Sequence, residues 1–85
     1  MKNKVLVSIS VPEIDEEYSV YIPINKKIGN IIILLNKAIS EMSNGELKKS
    51  TDNSLYNKMT GEKYEYDQLL IDTNIRNGSK LILIS

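Results

Sequence analysis

The last six residues, Lys80-Leu81-Ile82-Leu83-Ile84-Ser85, decide how the rest of the chain must fold. Four consecutive apolar residues place apolar side chains on both faces of one strand, which is typical of a strand in the middle of a sheet. We therefore expect this strand to be central, with other strands on both of its sides. The upstream sequence has to supply those strands and a cover for one face.

Two strands are predicted near the start of the chain. Residues 5–11 and 18–22 each alternate one apolar side chain with a more polar or outward-facing one, and Pro12 and Pro23 close the two runs. A period of two with β-branched residues is typical of half-buried strands. Because the acidic segment 13–17 between them is short, the two strands are predicted to form an antiparallel hairpin.

One amphipathic helix is predicted from Ile28 to about Ser43. Its apolar side chains recur at helical spacing on one stripe, and Asn44-Gly45 supplies a helix stop. Ile33 is the exception, because it lies about 160° away from that stripe and is expected in solvent. The stripe consists of Ile28, Ile31, Ile32, Leu35, Ala38, Ile39 and Met42.

The segment after the helix predicts shorter elements. Residues 46–53 are polar and predict a loop, Leu55-Tyr56 opens a third strand, and Lys63–Tyr66 supplies a brief return strand. Residues 69–71 form a compact apolar cluster, and Asn77-Gly78 is a turn. The resulting fold class is α+β, with one helix packed on a mixed four- or five-stranded sheet. The last strand must lie beside the first and parallel to it, with the helix in the crossover.

Composition limits the functions that the chain can serve. Its 85 residues predict a single domain, residues 1–85, and 11 basic residues balance 11 acidic ones. A net charge of zero gives no electrostatic reason to expect nucleic acid as a partner. The longest unbroken apolar run, Ile31–Leu35, is far too short to insert into a membrane, and the first residues predict a strand rather than a signal peptide. We expect a cytoplasmic protein.

Catalytic chemistry is not expected. The chain contains no Cys and no His, which removes thiol nucleophiles, imidazole bases and the usual zinc sites. The consecutive carboxylates Asp15, Glu16 and Glu17 are interpreted as a solvated acidic turn, since a calcium site needs six to eight converging oxygens. Tyr64 and Tyr66 alternate and are expected to share one face, where they pack or line a rim. We predict no catalytic residue, no cofactor and no metal.

The predicted order of elements resembles the ubiquitin-like β-grasp family over nearly the whole chain. The resemblance is strongest in the last third, and the helix places its apolar residues as the ubiquitin helix does. The residues that carry it are Ile28, Ile31, Leu35, Leu70, Asn74-Ile75, Arg76-Asn77-Gly78-Ser79, Leu81 and Leu83.

The resemblance implies a function that depends on the end of the chain. Ubiquitin and the sulfur-carrier β-grasp proteins finish in a Gly-Gly tail, whereas this sequence finishes at Ser85 on the last strand. It is most similar to the YukD/EsaB family, which is associated with type VII secretion in Gram-positive bacteria. The resemblance therefore implies a non-covalent interaction module, an accessory or regulator of a secretion system. The alternative is a protein modifier or sulfur carrier whose Gly-Gly tail is missing from this sequence.

The sheet face that the helix leaves uncovered is the predicted partner site. Leu6, Tyr56, Ile82 and Ile84 are expected to form one apolar patch there, in the region that ubiquitin uses to bind partners. Contiguous exposed apolar surface usually marks an interaction site. The alternatives are scattered surface residues or a homo-oligomer contact through the same face. Ile33 on the back of the helix is a second candidate, although a single exposed isoleucine is common.

Overall fold

The structure, a computed structural model, describes residues 3–50 and 52–84. Within these residues the chain forms four strands and one α-helix, with short 3-10 turns at Pro12–Ile14 and Leu70–Asp72. The elements in chain order are β1 (Lys4–Val11), β2 (Glu16–Pro23), α1 (Ile28–Met42), β3 (Ser54–Asn57) and β4 (Lys80–Ile84).

The four strands form one mixed sheet in the order β2-β1-β4-β3. β1 and β2 are antiparallel, whereas β1 and β4 are parallel, with Ile9 opposite Leu81. β3 pairs with the other side of β4 in the antiparallel direction. The predicted topology is confirmed: the most apolar strand is central and runs parallel to the first, so both of its edges are hydrogen-bonded.

The core lies between α1 and one face of this sheet. Along β1 and β4 every second side chain points into it, and α1 contributes the residues of its apolar stripe. The most buried members, each no more than 1% exposed, include Val7, Ile9, Ile28, Ile31, Ile39, Leu55, Leu70, Leu81 and Leu83. A helix on one face of a mixed four-stranded sheet is the predicted fold class.

The buried face of α1 is rotated relative to the predicted stripe. Met42 is 49% exposed, so its assignment to the core is wrong, and Ala38 is only half-buried. On the opposite flank of the helix, Asn36 and Ser40 are buried. The reason is the following loop, which folds back against that flank and is hydrogen-bonded to Asn36 through Lys48 and Ser50. Leu47 in the same loop is buried in the core. Residues 46–50, 52 and 53 therefore form a loop as predicted, and hydrogen bonds to Asn36 anchor this loop to α1.

The predicted return strand at Lys63–Tyr66 is absent from the described structure. Instead a single bridge joins Lys63 to Tyr56 beside β3. Two backbone hydrogen bonds flank this bridge, from Asn57 N–H to the Glu62 carbonyl at 2.8 Å and from Tyr64 N–H to the Leu55 carbonyl at 3.0 Å. The segment makes only this one bridge and does not continue the ladder, so the described sheet has four strands.

Of the three apolar residues at 69–71, only one belongs to the core. Leu70 is fully buried, whereas Leu69 is 38% and Ile71 53% exposed. Leu69 precedes the 3-10 turn Leu70–Asp72, in which successive side chains point about 120° apart, so Ile71 points away from the side on which Leu70 is buried. The apolar cluster seen in the sequence therefore contributes one side chain, Leu70, to the core.

The turn before β4 determines where the central strand begins to pair with β1. Gly78 has a φ of +87°, a conformation that favours glycine, and its N–H donates to the Leu6 carbonyl at 2.8 Å. The next bond in the ladder runs from Ser8 N–H to the Ser79 carbonyl at 3.0 Å. The predicted turn at Asn77-Gly78 is confirmed, and it starts the parallel pairing with β1. Along the described residues no helix has the length and apolar character needed to cross a bilayer.

Candidate functional site

The candidate site is the sheet face that points away from α1, here called the outer face. The registers of the three strand pairs determine which side chains share it. They include Glu17, Ser19 and Tyr21 of β2, Leu6, Ser8 and Ser10 of β1, Lys80, Ile82 and Ile84 of β4, and Ser54 and Tyr56 of β3.

Three of the four predicted site residues lie together on this face. Tyr56 is directly opposite Ile82 in the β3–β4 register. Ile84 follows two residues along β4, about 7 Å further on the same face. Ile84 is 40% exposed, and the other two side chains are half-buried. We call Tyr56, Ile82 and Ile84 the apolar patch.

Leu6 does not belong to that patch, so the prediction of one four-residue surface is wrong in this respect. In the parallel register Ile82 lies beside Ser10, and Ser10 is four residues from Leu6 along β1, or about 13 Å. Lys80 and Ser8 lie between them. Leu6 is instead opposite Tyr21 of β2, which is 55% exposed.

A polar network crosses the outer face next to the patch. The Lys58 ammonium, just after β3, donates to the Ser10 hydroxyl at 3.1 Å and lies 3.5 Å from the Glu17 carboxylate. The Ser10 hydroxyl also donates to Glu17 at 3.1 Å. Lys58 thus reaches over the two middle strands beside Ile82, with which it shares a surface depression. The outer face therefore combines an apolar patch with a charged border.

This network stabilises the negatively charged form of the Glu17 side chain. The Ser8 and Ser10 hydroxyls and the positive charge of Lys58 lower the pKa of Glu17 below its ordinary value. No sequence pattern links Lys58 to Glu17, because the sheet order alone brings the start of β2 and the end of β3 together. The sequence prediction missed both residues.

Ile33, the second candidate, is 53% exposed on the back of α1, as predicted, and Leu34 beside it is 50% exposed. Ile33 borders a shallow groove of about 570 Å³ between α1 and the loop at 49–52. Asn36 also lines this groove, and its amide donates to the Lys48 carbonyl at 3.2 Å and to Asn53 Oδ1 at 3.0 Å. These bonds hold the loop against the helix, so the groove has a structural explanation.

Tyr64 and Tyr66 do not share a face. Tyr64 is 3% exposed, and its hydroxyl donates to Asn74 Oδ1 at 2.6 Å and accepts from Asn57 Nδ2 at 3.0 Å. Burial raises the pKa of Tyr64, against the opposing effect of the Asn57 hydrogen bond. Tyr66 is 43% exposed and donates to the Asn53 carbonyl at 3.0 Å. The expectation of a shared face is wrong because the segment is not a strand, although both tyrosines do pack or lie at a rim.

The acidic turn does not gather a metal site. Asp15, Glu16 and Glu17 are all exposed, and Glu17 points to Lys58 and Ser10. Among residues 3–50 and 52–84, no group of three or more acidic side chains is arranged to hold a metal ion.

Solved structures with this fold include components of secretion machinery. A chain of the MycP5-free ESX-5 inner membrane complex superposes with a TM-score of 0.78 at 17% identity, over 95% of this chain and 20% of that one. The ubiquitin-like domain of the Mycobacterium tuberculosis type VII secretion system protein ECCD1 gives 0.73 at 18% identity, over 96% and 98%. This chain thus spans a fifth of the ESX-5 chain and nearly all of the ECCD1 domain. The ubiquitin-like β-grasp fold is confirmed.

The same fold also occurs in a structure of an enzyme complex. A chain in the toluene 4-monooxygenase HD complex with 4-bromobenzoate gives a TM-score of 0.72 at 6% identity, covering 95% of this chain and 96% of that one. The fold by itself therefore does not decide between catalytic and non-catalytic roles. No protein-family model matches the chain, and no curated protein does either.

Proposed function

We propose that this chain is a single ubiquitin-like domain that acts as a non-covalent protein-interaction module in a type VII secretion system. The observation that carries the proposal is the apolar patch Tyr56, Ile82 and Ile84 on a sheet face that no described element covers. Among the solved structures with this fold, the ECCD1 domain belongs to a protein of a type VII secretion system. We further propose a cytoplasmic location, a YukD/EsaB-like role as accessory or regulator, and no catalytic activity.

The composition of the outer face suggests what the partner presents. Lys80 of β4 and Lys58, which follows β3, both lie at one end of the apolar patch, where the Lys58 N–H donates to the Lys80 carbonyl at 2.9 Å. Both side chains are exposed. Lys58 is already paired with Glu17, whereas Lys80 makes no ion pair among the described residues. A partner surface with an apolar centre and a carboxylate opposite Lys80 would complement both features.

Ile84→Ser and Tyr56→Ala test the proposal, because these side chains contribute little to the core. Full burial of an aliphatic side chain is worth about 1.5–3 kcal/mol, and only part of that is realised at a side chain that is 40% exposed. We expect both variants to keep most of their thermal stability. Both should lose binding to a purified, detergent-solubilised type VII inner-membrane complex in a pull-down.

Ile33→Ser is the matched control, since it removes an exposed isoleucine from the opposite side of the molecule. It should bind as the unmodified protein does. The proposal is wrong if the unmodified protein does not bind the complex, or if both patch variants bind as well as the control. Loss of binding in Ile33→Ser alone would transfer the site to the back of α1.

A further inference from the structure

The two edges of the sheet differ in how far they are covered. The outer edge of β3 is hydrogen-bonded to residues 62–64. β2 is the other edge strand, and along the described residues nothing pairs with its outer side. β2 has eight residues, more than the usual five or six. Natural edge strands are normally shortened, interrupted by proline or given inward-pointing charges.

Strand geometry identifies the free groups on this edge. Ile24 N–H donates to the Asn3 carbonyl at 3.0 Å, and residues of an antiparallel strand alternate between bonding to the partner and pointing away. The even-numbered residues of β2 therefore bond to β1. The N–H and C=O groups of Glu17, Ser19 and Tyr21 point outward. Pro23 lies in the same outward series but has no N–H.

We propose that β2 is a homodimerisation edge, where a second copy of this chain adds its own β2 in the antiparallel direction about a two-fold axis. Ser19 lies opposite Ser19 of the other copy, and Glu17 lies opposite Tyr21. In this register every outward N–H of both copies has a carbonyl partner. The two sheets then form one continuous sheet, an isologous contact that closes with two chains.

This register is preferred over its neighbours. A shift by one residue would place side chains of the outer face opposite side chains of the helix face. If Val20 lay on the two-fold axis instead, Glu17 would lie opposite Pro23 of the other copy, and proline has no N–H to donate to the Glu17 carbonyl. With Ser19 on the axis, Tyr18 lies beside Val20 of the other copy on the helix face, and both side chains are half-buried and apolar in the monomer.

The charges around β2 favour a second copy as the occupant. The strand begins in an acidic segment, residues 13–17, and is followed by Lys26 and Lys27, with all of these charged side chains exposed. Antiparallel pairing brings the acidic end of each copy towards the basic end of the other, twice per dimer. Parallel pairing would place like charges together. The net charge of zero means that the two copies do not repel each other as whole molecules.

Sedimentation velocity over a concentration series tests the edge directly. Ser19→Pro removes the central outward N–H without touching the β1 ladder, since proline is tolerated where an edge N–H faces solvent. We expect the unmodified protein to dimerise reversibly and Ser19→Pro to raise the dissociation constant by about tenfold or more. Ser19→Thr keeps the N–H and should dimerise normally.

Charge reversal supplies a second, independent test. Lys26→Glu/Lys27→Glu makes both ends of β2 acidic, and Glu13→Lys/Glu16→Lys neutralises the acidic end, because Asp15 and Glu17 then balance the two new lysines. All four side chains are exposed, so the fold should tolerate both changes. Each variant alone should dimerise more weakly than the unmodified protein. A mixture of the two should form heterodimers, and added salt should weaken them.

The outcomes separate this proposal from the function proposed above. If the unmodified protein stays monomeric at millimolar concentration, the proposal of a β2 homodimer is wrong. The β2 edge would then be available to a strand of another protein. A dimer that persists in Ser19→Pro and in both charge variants also overturns the proposal. A dimer lost in Ile84→Ser but kept in Ser19→Pro would place the self-contact on the apolar patch instead. Dimerisation through β2 neither requires nor excludes binding of a secretion partner at the patch.

Discussion

At the scale of single residues, the pKa of Glu17 depends on the polar network of the outer face. The Ser8 and Ser10 hydroxyls and Lys58 lower its pKa, so its carboxylate stabilises the fold above its ordinary pKa. That contribution is lost as the pH falls through the lowered value. We expect Lys58→Met to raise the pKa of Glu17 towards the ordinary value, as measured by NMR titration of the side-chain carboxyl carbon.

Lys80→Met is the control for that titration, because Lys80 does not contact the carboxylate and should leave its pKa unchanged. A Glu17 pKa at the ordinary value in the unmodified protein would contradict the network. Because Glu17 is fully exposed, the effect on the free energy of unfolding is expected to be small.

Asn36 illustrates a polar residue whose role is structural. It is 3% exposed, and its side chain binds Lys48, Asn53 and the Ser50 N–H, the last at 2.9 Å. Asn36→Ala leaves these loop groups without partners, which costs about 1–3 kcal/mol. We expect that loss in urea unfolding, whereas Lys37→Ala next to it, on the exposed side of α1, should change stability little. Equal effects at the two positions would mean that the loop is not held by Asn36.

At the scale of elements, α1 and β4 both supply fully buried side chains to the core. Leu35 and Leu34 are neighbours in α1, yet one is 3% and the other 50% exposed. Leu35→Ala should cost about 2–5 kcal/mol, as deletions in a packed core do. Leu34→Ala should cost much less. Leu83→Ala in β4 should resemble Leu35→Ala in chemical denaturation, and near-neutral results at both would show that the buried face is misassigned.

At the scale of the whole molecule, every element contributes to one core. α1, all four strands and the loop after α1 place side chains in the same cluster. We therefore propose that the chain folds as one cooperative unit. Circular dichroism and tyrosine fluorescence, which is unobscured since there is no Trp, should give the same urea midpoint. Separate midpoints would reveal a part of the chain that unfolds independently.

The sequence alone was sufficient to predict the four strands, the helix and the place of β4 beside β1, although it also predicted a return strand at Lys63–Tyr66 that the described structure lacks. The period of two in residues 5–11 and 18–22, the helical period after Ile28 and the continuous apolar run Leu81–Ile84 are local patterns. Each follows from how a strand or helix must bury its apolar side. The position of β4 in the middle of the sheet followed because it alone has apolar side chains on both faces.

Only the tertiary structure decided which side chains meet. The rotation of α1 towards Asn36 depends on how the loop after α1 folds back, and the separation of Leu6 from Ile82 depends on where the parallel register begins, at Gly78. The contact of Lys58 with Glu17 depends on the order of all four strands. Such contacts join residues far apart in the chain, and no local periodicity encodes them, because a period determines the face of a side chain but not its neighbour across the sheet.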